Sequence, residues 1–430
     1  AKGTQDLSPE DMRRFRLIEG VFRDSCIKWG YEEVRTPTLE YLHLFPSTGT
    51  LTPSRLGRVY SFLDWDGWSG ERVVLRPDGT IPIARLYIED MKGKGLAKLF
   101  YVSNVFSFEE TGKESREKWQ CGVELIGAGS TAADVELLLL ALGVLKQLGL
   151  QDVEVRLSHA DLIRGLLAKF GLNPEEQHSV FDRILDGDEK VLAGTKSENP
   201  ELGKTHSASS GQALASLLDL KGKSSGFLKN LKALFNQDSK KSRTARPGST
   251  ESPRSEPVEG ALNNFINTVD LLEAVGVNYQ IDLASGRGFE YYTGLMFKLS
   301  IGGEQIGGGG RYDHLIPLMG GKPTPASGFA LYLDHLMKLT KVGTLVGPQA
   351  QKILIKAEPG EGALKHAFNL AASLHAAGRE AEVDLGSQKA TDYKWLITVG
   401  VKKPHFVLTN RSSRKKFEAS TAKEVLKLLE

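Results

Sequence analysis

Cysteine is scarce: Cys26 and Cys121 are the only two in 430 residues. Two thiols cannot build a disulfide framework or a zinc site, and such sparing use fits a reducing cytosol. Charge of one sign does not accumulate either. A formal net charge of +2 supplies no general field for a polyanion, so any nucleic-acid surface has to be local. No apolar run is long enough to span a bilayer; the longest, Val135 to Leu145, is interrupted by Glu136. The nine histidines show no metal-ligand spacing. The opening AKGTQDLSPED is polar and carries no signal-peptide core. These absences predict a cytoplasmic protein with no metal and no membrane association.

What is present is ordinary for a globular protein, with 40% hydrophobic and 25% charged residues. The length predicts two or three domains. Ser8-Pro9-Glu10-Asp11 reads as a helix start: a hydroxyl cap, proline in the first turn, then acids at the positive dipole end. Phe15, Ile18, Phe22 and Trp29 follow at helical spacing until Gly30. YEEVRTPTLE reads as a strand carrying Pro37 at an edge or bulge. RVVLR (72–76) is a second strand, followed by the turn Pro77-Asp78-Gly79-Thr80 and a helix from about Ile81. Thr131–Leu148 is a strongly apolar helix.

Residues 1–160 and 261–343 read as two parts of one α+β core, separated by a helical insertion, 161–260. Within it, 238–260 is rich in Ser, Pro, Arg and Glu and lacks the large apolar residues a core needs, so it is expected to be flexible. GRGFEYYTGLMFKLS and GGEQIGGGGRYDHL read as a strand pair, and Phe329–Leu339 as a helix. From 349 to 430 strands alternate with helices, which predicts a small α/β domain with a mostly parallel sheet.

The stretch FYVSNVFSFEETGKESREKWQCGVELIG (100–127) reads as a hairpin. On its second strand Gln120, Gly122, Glu124 and Ile126 share one face. A carboxylate on an apolar strand needs a partner, because burying it unpaired is costly.

Several stretches, in order, carry a resemblance. KGTQDLSPED, YEEVRTPTLE, LRPDGT, FYVSNVFSFEE…REKWQCGVELIG, RGFEYYTG, GGGRYDHL and SGFALYLDHL are similar to the opening segment and the successive motifs of class II histidyl-tRNA synthetases. They are also similar to those of the paralogous regulatory subunit of ATP phosphoribosyltransferase, and GVELIGA looks more like that branch. The resemblance implies a class II synthetase-like antiparallel sheet of six or seven strands flanked by helices. It also implies a dimer, a C-terminal α/β anticodon-binding-like domain and a pocket for free L-histidine. In that pocket Asp78, Thr80 and Gln120 would face the α-amino and carboxylate groups, and Glu124 and Tyr292 the imidazole. Arg287 would sit against the carboxylate, with Tyr291 and Tyr312 as walls. These residue types fit a zwitterion that also carries an imidazole.

Two positions depart from the family. Where motif 2 carries an arginine for the ATP α-phosphate, this chain has Ser107, ahead of Glu109. Where motif 3 carries one for the γ-phosphate, it has His335. Arginine matches phosphate oxygens in pairs with a permanent charge; serine and histidine do not. Losing one preorganised donor costs roughly 100- to 1000-fold in rate. Arg116 and Lys113 of the motif 2 loop are the candidates to compensate. The resemblance therefore implies a catalytically silent, histidine-sensing regulatory subunit without cofactor. Its partner would be the catalytic ATP phosphoribosyltransferase, in a homodimer or a larger hetero-oligomer, and tRNA binding is not expected. The alternative is a divergent histidine–tRNA ligase using ATP and Mg, with Arg287 as its catalytic cation. The closing hairpin of the family's last domain is not evident between Asn410 and Lys423. The basic run there (Lys402, Lys403, Arg411, Arg414, Lys415, Lys416) reads as a solvated face.

Overall fold

Helix α1, Pro9–Lys28, starts where the sequence places it. Ser8 and Asp11 cap each other: the Asp11 amide donates to Ser8 Oγ at 3.2 Å and the Ser8 amide to Asp11 Oδ2 at 3.0 Å. Phe15, Ile18, Phe22 and Cys26 are buried along one stripe, each contributing roughly 1.5–3 kcal/mol relative to exposure for the larger side chains. Trp29 is not part of that stripe. It caps the helix and stays 41% exposed, and Gly30 leaves the helix at φ +81°.

The computed structural model describes residues 3–47, 57–65, 70–91, 95–108, 115–169, 221–233, 256–283, 291–340, 352–386 and 393–429. Glu109, Lys113, Arg287 and most of the expected insertion, including 238–255, lie outside them. The chain forms two compact units, Ala1–Thr340 and Lys341–Glu430.

The first unit is built on a sheet of nine strands in the order β1-β5-β6-β12-β11-β10-β7-β9-β8. These are β1 Glu32–Glu33, β5 Ala97–Phe106, β6 Glu117–Ile126, β7 Glu154–His159, β8 Lys221–Gly222, β9 Gln280–Asp282, β10 Leu295–Ile301, β11 Glu304–Arg311 and β12 Ala326–Tyr332. The central strands are antiparallel, as expected. Short edge strands raise the count above seven, and β1 with β5 and β7 with β9 pair in parallel. On one face lie α1 and α4 (Thr131–Gln147), where Phe22 meets Phe100 edge-on at 5.9 Å. Gly122 and Glu124 on β6 point to the opposite face, where α3 (Thr80–Asp90) packs.

Three expectations are corrected here. YEEVRTPTLE is not one strand: it splits into β1 and β2 (Leu39–Tyr41), and β2 joins β4 (Gly70–Leu75) and β3 (Ser61–Trp65) in a separate three-stranded sheet. Pro37 has no N–H to give, and the carbonyls of Thr36 and Pro37 turn instead to the buried Arg76 guanidinium, at 2.9 and 3.0 Å. Phe329–Leu339 is not all helix. Its first residues end β12, held between β6 and β11, and α8 (Leu333–Leu339) begins only after them. Residues 256–260 belong to helix α6, Glu256–Ala274, rather than to a flexible segment.

The second unit has five strands in the order β14-β13-β15-β16-β17: β13 Ile353–Ala357, β14 Ala381–Val383, β15 Trp395–Val399, β16 Phe406–Asn410 and β17 Lys416–Ala419. Only β14, β13 and β15 are mutually parallel, so the sheet is mixed rather than mostly parallel. The alternation predicts a helix between the strands at 380–386 and 405–410, but residues 395–399 there form a strand. A closing hairpin does exist: β16 pairs with β17 from Phe406↔Ala419 to Thr409↔Lys416. Ile355, Leu370, Leu374, Ile397, Leu408 and Val425 form its core with α9 (Glu361–Ala376) and α10 (Ala422–Leu428). Among the described residues no helix is long and apolar enough to cross a membrane.

Candidate functional site

The turn after β4 brings the first polar groups onto the open face of the sheet. Asp78 Oδ1 accepts the Ile81 amide at 2.9 Å and so fixes the start of α3. Its other oxygen lies 3.4 Å from the Tyr291 hydroxyl. Two residues on, Thr80 Oγ1 donates to Glu124 Oε1 at 2.8 Å. Glu124 Oε2 receives the Tyr312 hydroxyl in a short hydrogen bond. The strand face read from the sequence is thus the face that meets the turn.

Glu124 is 1% exposed. Burial pushes its carboxyl up to about 8; the hydroxyls of Tyr312 and Thr80 pull it down, and the nearby Asp78 adds to the rise. Asp78 is raised by burial as well. Among the described residues neither carboxyl forms an ion pair with lysine or arginine. Tyr291, Tyr292 and Tyr312 are buried around them, Tyr291 meeting Tyr292 and Tyr312 edge-on at 5.4 and 5.6 Å. Gln120 leaves β6 on the same face, half-buried, opposite Ser103 and Tyr332. An enclosure of acids and phenols with no cation among the described residues is chemically prepared for an incoming N–H group that carries positive charge.

Sequence reasoning missed two parts of this arrangement. Tyr101 on β5 is buried, and its hydroxyl bears on both Glu124 and Thr80. It fits because Gly79 and Gly122 flank it; a Cβ at either position would overlap the phenol. Gly328 likewise leaves room for the Glu124 carboxylate. The second part is a clamp on either side of Tyr312. Arg311 reaches Asp134 on α4 with two bonds, 2.7 Å from Nη2 and 3.2 Å from Nε. It also reaches Asp313 Oδ1 at 3.1 Å, which in turn accepts the Ala326 amide at 2.9 Å. The available signal was weak: Asp134 is one of two acids, with Glu136, in a largely apolar helix.

The positions likened to phosphate contacts look different. The Ser107 amide donates to the Arg116 carbonyl at 3.0 Å, and the Arg116 guanidinium lies over the Phe108 ring at 4.5 Å. His335, on α8, has Nδ1 3.0 Å from Glu304 Oε1, outside hydrogen-bond geometry, and its ring is edge-on to Tyr332 at 5.7 Å. Its neighbour Asp334 accepts the Trp119 amide at 2.7 Å, tying α8 to β6.

Residues 3–336 match the family model for histidyl-tRNA synthetase. The chain is 52% identical over 398 residues to the ATP phosphoribosyltransferase regulatory subunit of Dehalococcoides mccartyi, covering 93% of this chain and 90% of that one. To the histidine–tRNA ligase of Methanosarcina acetivorans it is 35% identical, over 83% of this chain and 78% of the relative. Among solved structures, it is similar to an ATP phosphoribosyltransferase regulatory subunit/histidyl-tRNA synthetase from Bacillus halodurans, with a TM-score of 0.73, 25% identity, and 92% and 96% of the two chains covered. The class II synthetase-like fold implied by the motifs is therefore the fold observed. The chain belongs to the histidyl-tRNA synthetase family and, within it, to the ATP phosphoribosyltransferase regulatory subunits.

Proposed function

We propose that the chain is the histidine-sensing regulatory subunit of ATP phosphoribosyltransferase, a synthetase fold that binds L-histidine without activating it. The observation that carries this reading is a contrast between two sets of positions. Around Glu124, Thr80, Asp78 and the tyrosines converge on a pocket with acceptors for an ammonium and an imidazole N–H. Toward the positions likened to phosphate contacts stand Ser107 and His335, which lack arginine's charged fork. The higher identity to a regulatory subunit than to a ligase supports the same assignment.

Histidine then acts by binding one conformation of the complex better than another, since equal affinity shifts nothing. The turn at Asp78–Thr80, whose side chains meet Glu124 and Tyr291, is the candidate element to transmit its binding. A second subunit has a surface to meet: the sheet β2-β4-β3 leaves Leu39, Tyr41, Phe62, Leu63 and Trp65 exposed. The divergent-ligase reading draws on the second compact unit, which occupies the place of an anticodon-binding-like domain.

The test is reconstitution with a catalytic ATP phosphoribosyltransferase. Histidine is expected to inhibit the mixture but not the catalytic subunit alone. Inhibition unchanged by adding this chain would end the proposal.

A further inference from the structure

Small residues floor the sheet face that carries the pocket. Gly122 lies opposite Ala330, Ala330 opposite Gly308, and Gly328 between Glu124 and Gly310. A Cβ at Gly308 or Gly310 would press on the backbone of β10, and one at Gly328 on Glu124 itself. The result is a trough along the strands that already holds the Tyr101 phenol over Gly122, the Glu124 carboxylate over Gly328 and the Tyr292 ring beside Gly310.

Tyr332 ends that trough. It pairs directly with Gln120 across β12 and β6, so both side chains leave the same face. Gln305 Nε2 donates to its hydroxyl at 3.3 Å, and its ring meets the His335 imidazole edge-on at 5.7 Å. The half-buried phenol is pushed up to about 12, by burial first and then by the Asp78 charge. Gln120 and Glu124 leave β6 on one face, two side-chain repeats apart. On the histidine-pocket reading above, a ligand with its ring at Glu124 directs its carboxyl end toward Gln120 and Tyr332.

We propose that Tyr332 is the residue that restricts this site to a free amino acid. Its ring closes the carboxyl end of the trough and excludes ligands whose carboxyl carbon bears a further group, such as acyl-adenylates. This inference rests on the histidine-pocket reading above. It assigns the loss of activation chemistry to a steric stop as well as to missing charge. Exclusion by a placed clash is a general route to specificity. The stop is firm because the phenol has two rotatable bonds and is held by Gln305 and His335.

The experiment compares L-histidine with histidyl-sulfamoyl-adenosine, a stable acyl-adenylate mimic, by calorimetry on the full chain. The wild type is expected to bind histidine and to bind the mimic weaker by about 100-fold or more, whereas Tyr332→Ala shifts the affinity ratio toward the mimic by about tenfold or more. Tyr332→Phe keeps the ring and is expected to keep the exclusion. The proposal is overturned if the wild type takes the mimic as tightly as histidine. It is equally overturned if a Tyr332→Ala protein that still binds histidine gains nothing. Failure of the wild type to bind L-histidine at all would instead overturn the pocket reading.

Discussion

The hydroxyl of Tyr312 donates to the buried carboxylate of Glu124, across 188 residues of sequence. That single contact joins the glycine-rich strand β11 to the hairpin strand β6 and sets the acidic centre of the pocket. Burial, which this contact only partly offsets, makes the ionised Glu124 costly to the free protein, with consequences that can be measured.

The folded-state carboxyl of Glu124 lies at about 8, against 4.5 ordinarily. Folding therefore favours its protonated form. The stability tied to that proton is complete below about 4.5 and is lost as pH rises toward 8, a change on the order of 5 kcal/mol. Glu124→Gln is expected to remove this component, so the variant gains thermal stability over the wild type at pH 8–9 and little at pH 5. Melting curves across that range check it; a parallel pH profile for both proteins would contradict the burial argument.

Ligand binding should follow a different profile. Below the imidazole's ordinary pKa of about 6.5, both ring and Glu124 are protonated, and binding must release a proton. Above about 8 Glu124 is ionised while the ring is neutral, and binding must take one up. Histidine affinity is expected to peak between these limits and fall on both sides. Calorimetric titrations at several pH values, in buffers of differing ionisation enthalpy, read both the peak and the proton count.

Asp134 holds Arg311 through two hydrogen bonds in the interior. Removing the acid leaves the buried guanidinium with Asp313 and two backbone carbonyls only, and the cost is expected to approach, without exceeding, the value of about 3–5 kcal/mol for a fully broken buried pair. Asp134→Ala is expected to lower the denaturant midpoint sharply. A paired Asp134→Leu, Arg311→Met change, which removes both charges, is expected to recover part of that loss.

Gly122→Ala tests Tyr101. The new methyl overlaps the phenol ring, which must swing away from Thr80 and Glu124. Histidine affinity should fall by about tenfold or more, with a stability cost of about 1–3 kcal/mol. An affinity within about twofold of wild type would show that Tyr101 does not position the site.

Much of the proposed pocket was legible because it lies in local patterns. Strand alternation alone puts Gln120 and Glu124 on one face, and the Asp78-Gly79 turn announces itself by composition. Tyr101 was not legible, because a tyrosine in an apolar strand reads as core until Gly79 and Gly122 are seen on either side of it. Arg311 and Asp134 are separated by 177 residues, and nothing local pairs them. In SGFALYLDHL the apolar pattern fits helix or strand, and pairing of β12 on both edges decides for strand. The strand Trp395–Val399 was passed over for the same reason: a short apolar run does not declare its period.

The most direct measurement is histidine-dependent ATP–pyrophosphate exchange, run beside calorimetric binding of L-histidine to the same preparation. Histidine binding without exchange is the expected result, with Ser107, His335 and the ring of Tyr332 as its structural reasons. Exchange at the rate of a working synthetase would contradict it and make this pocket an activation site.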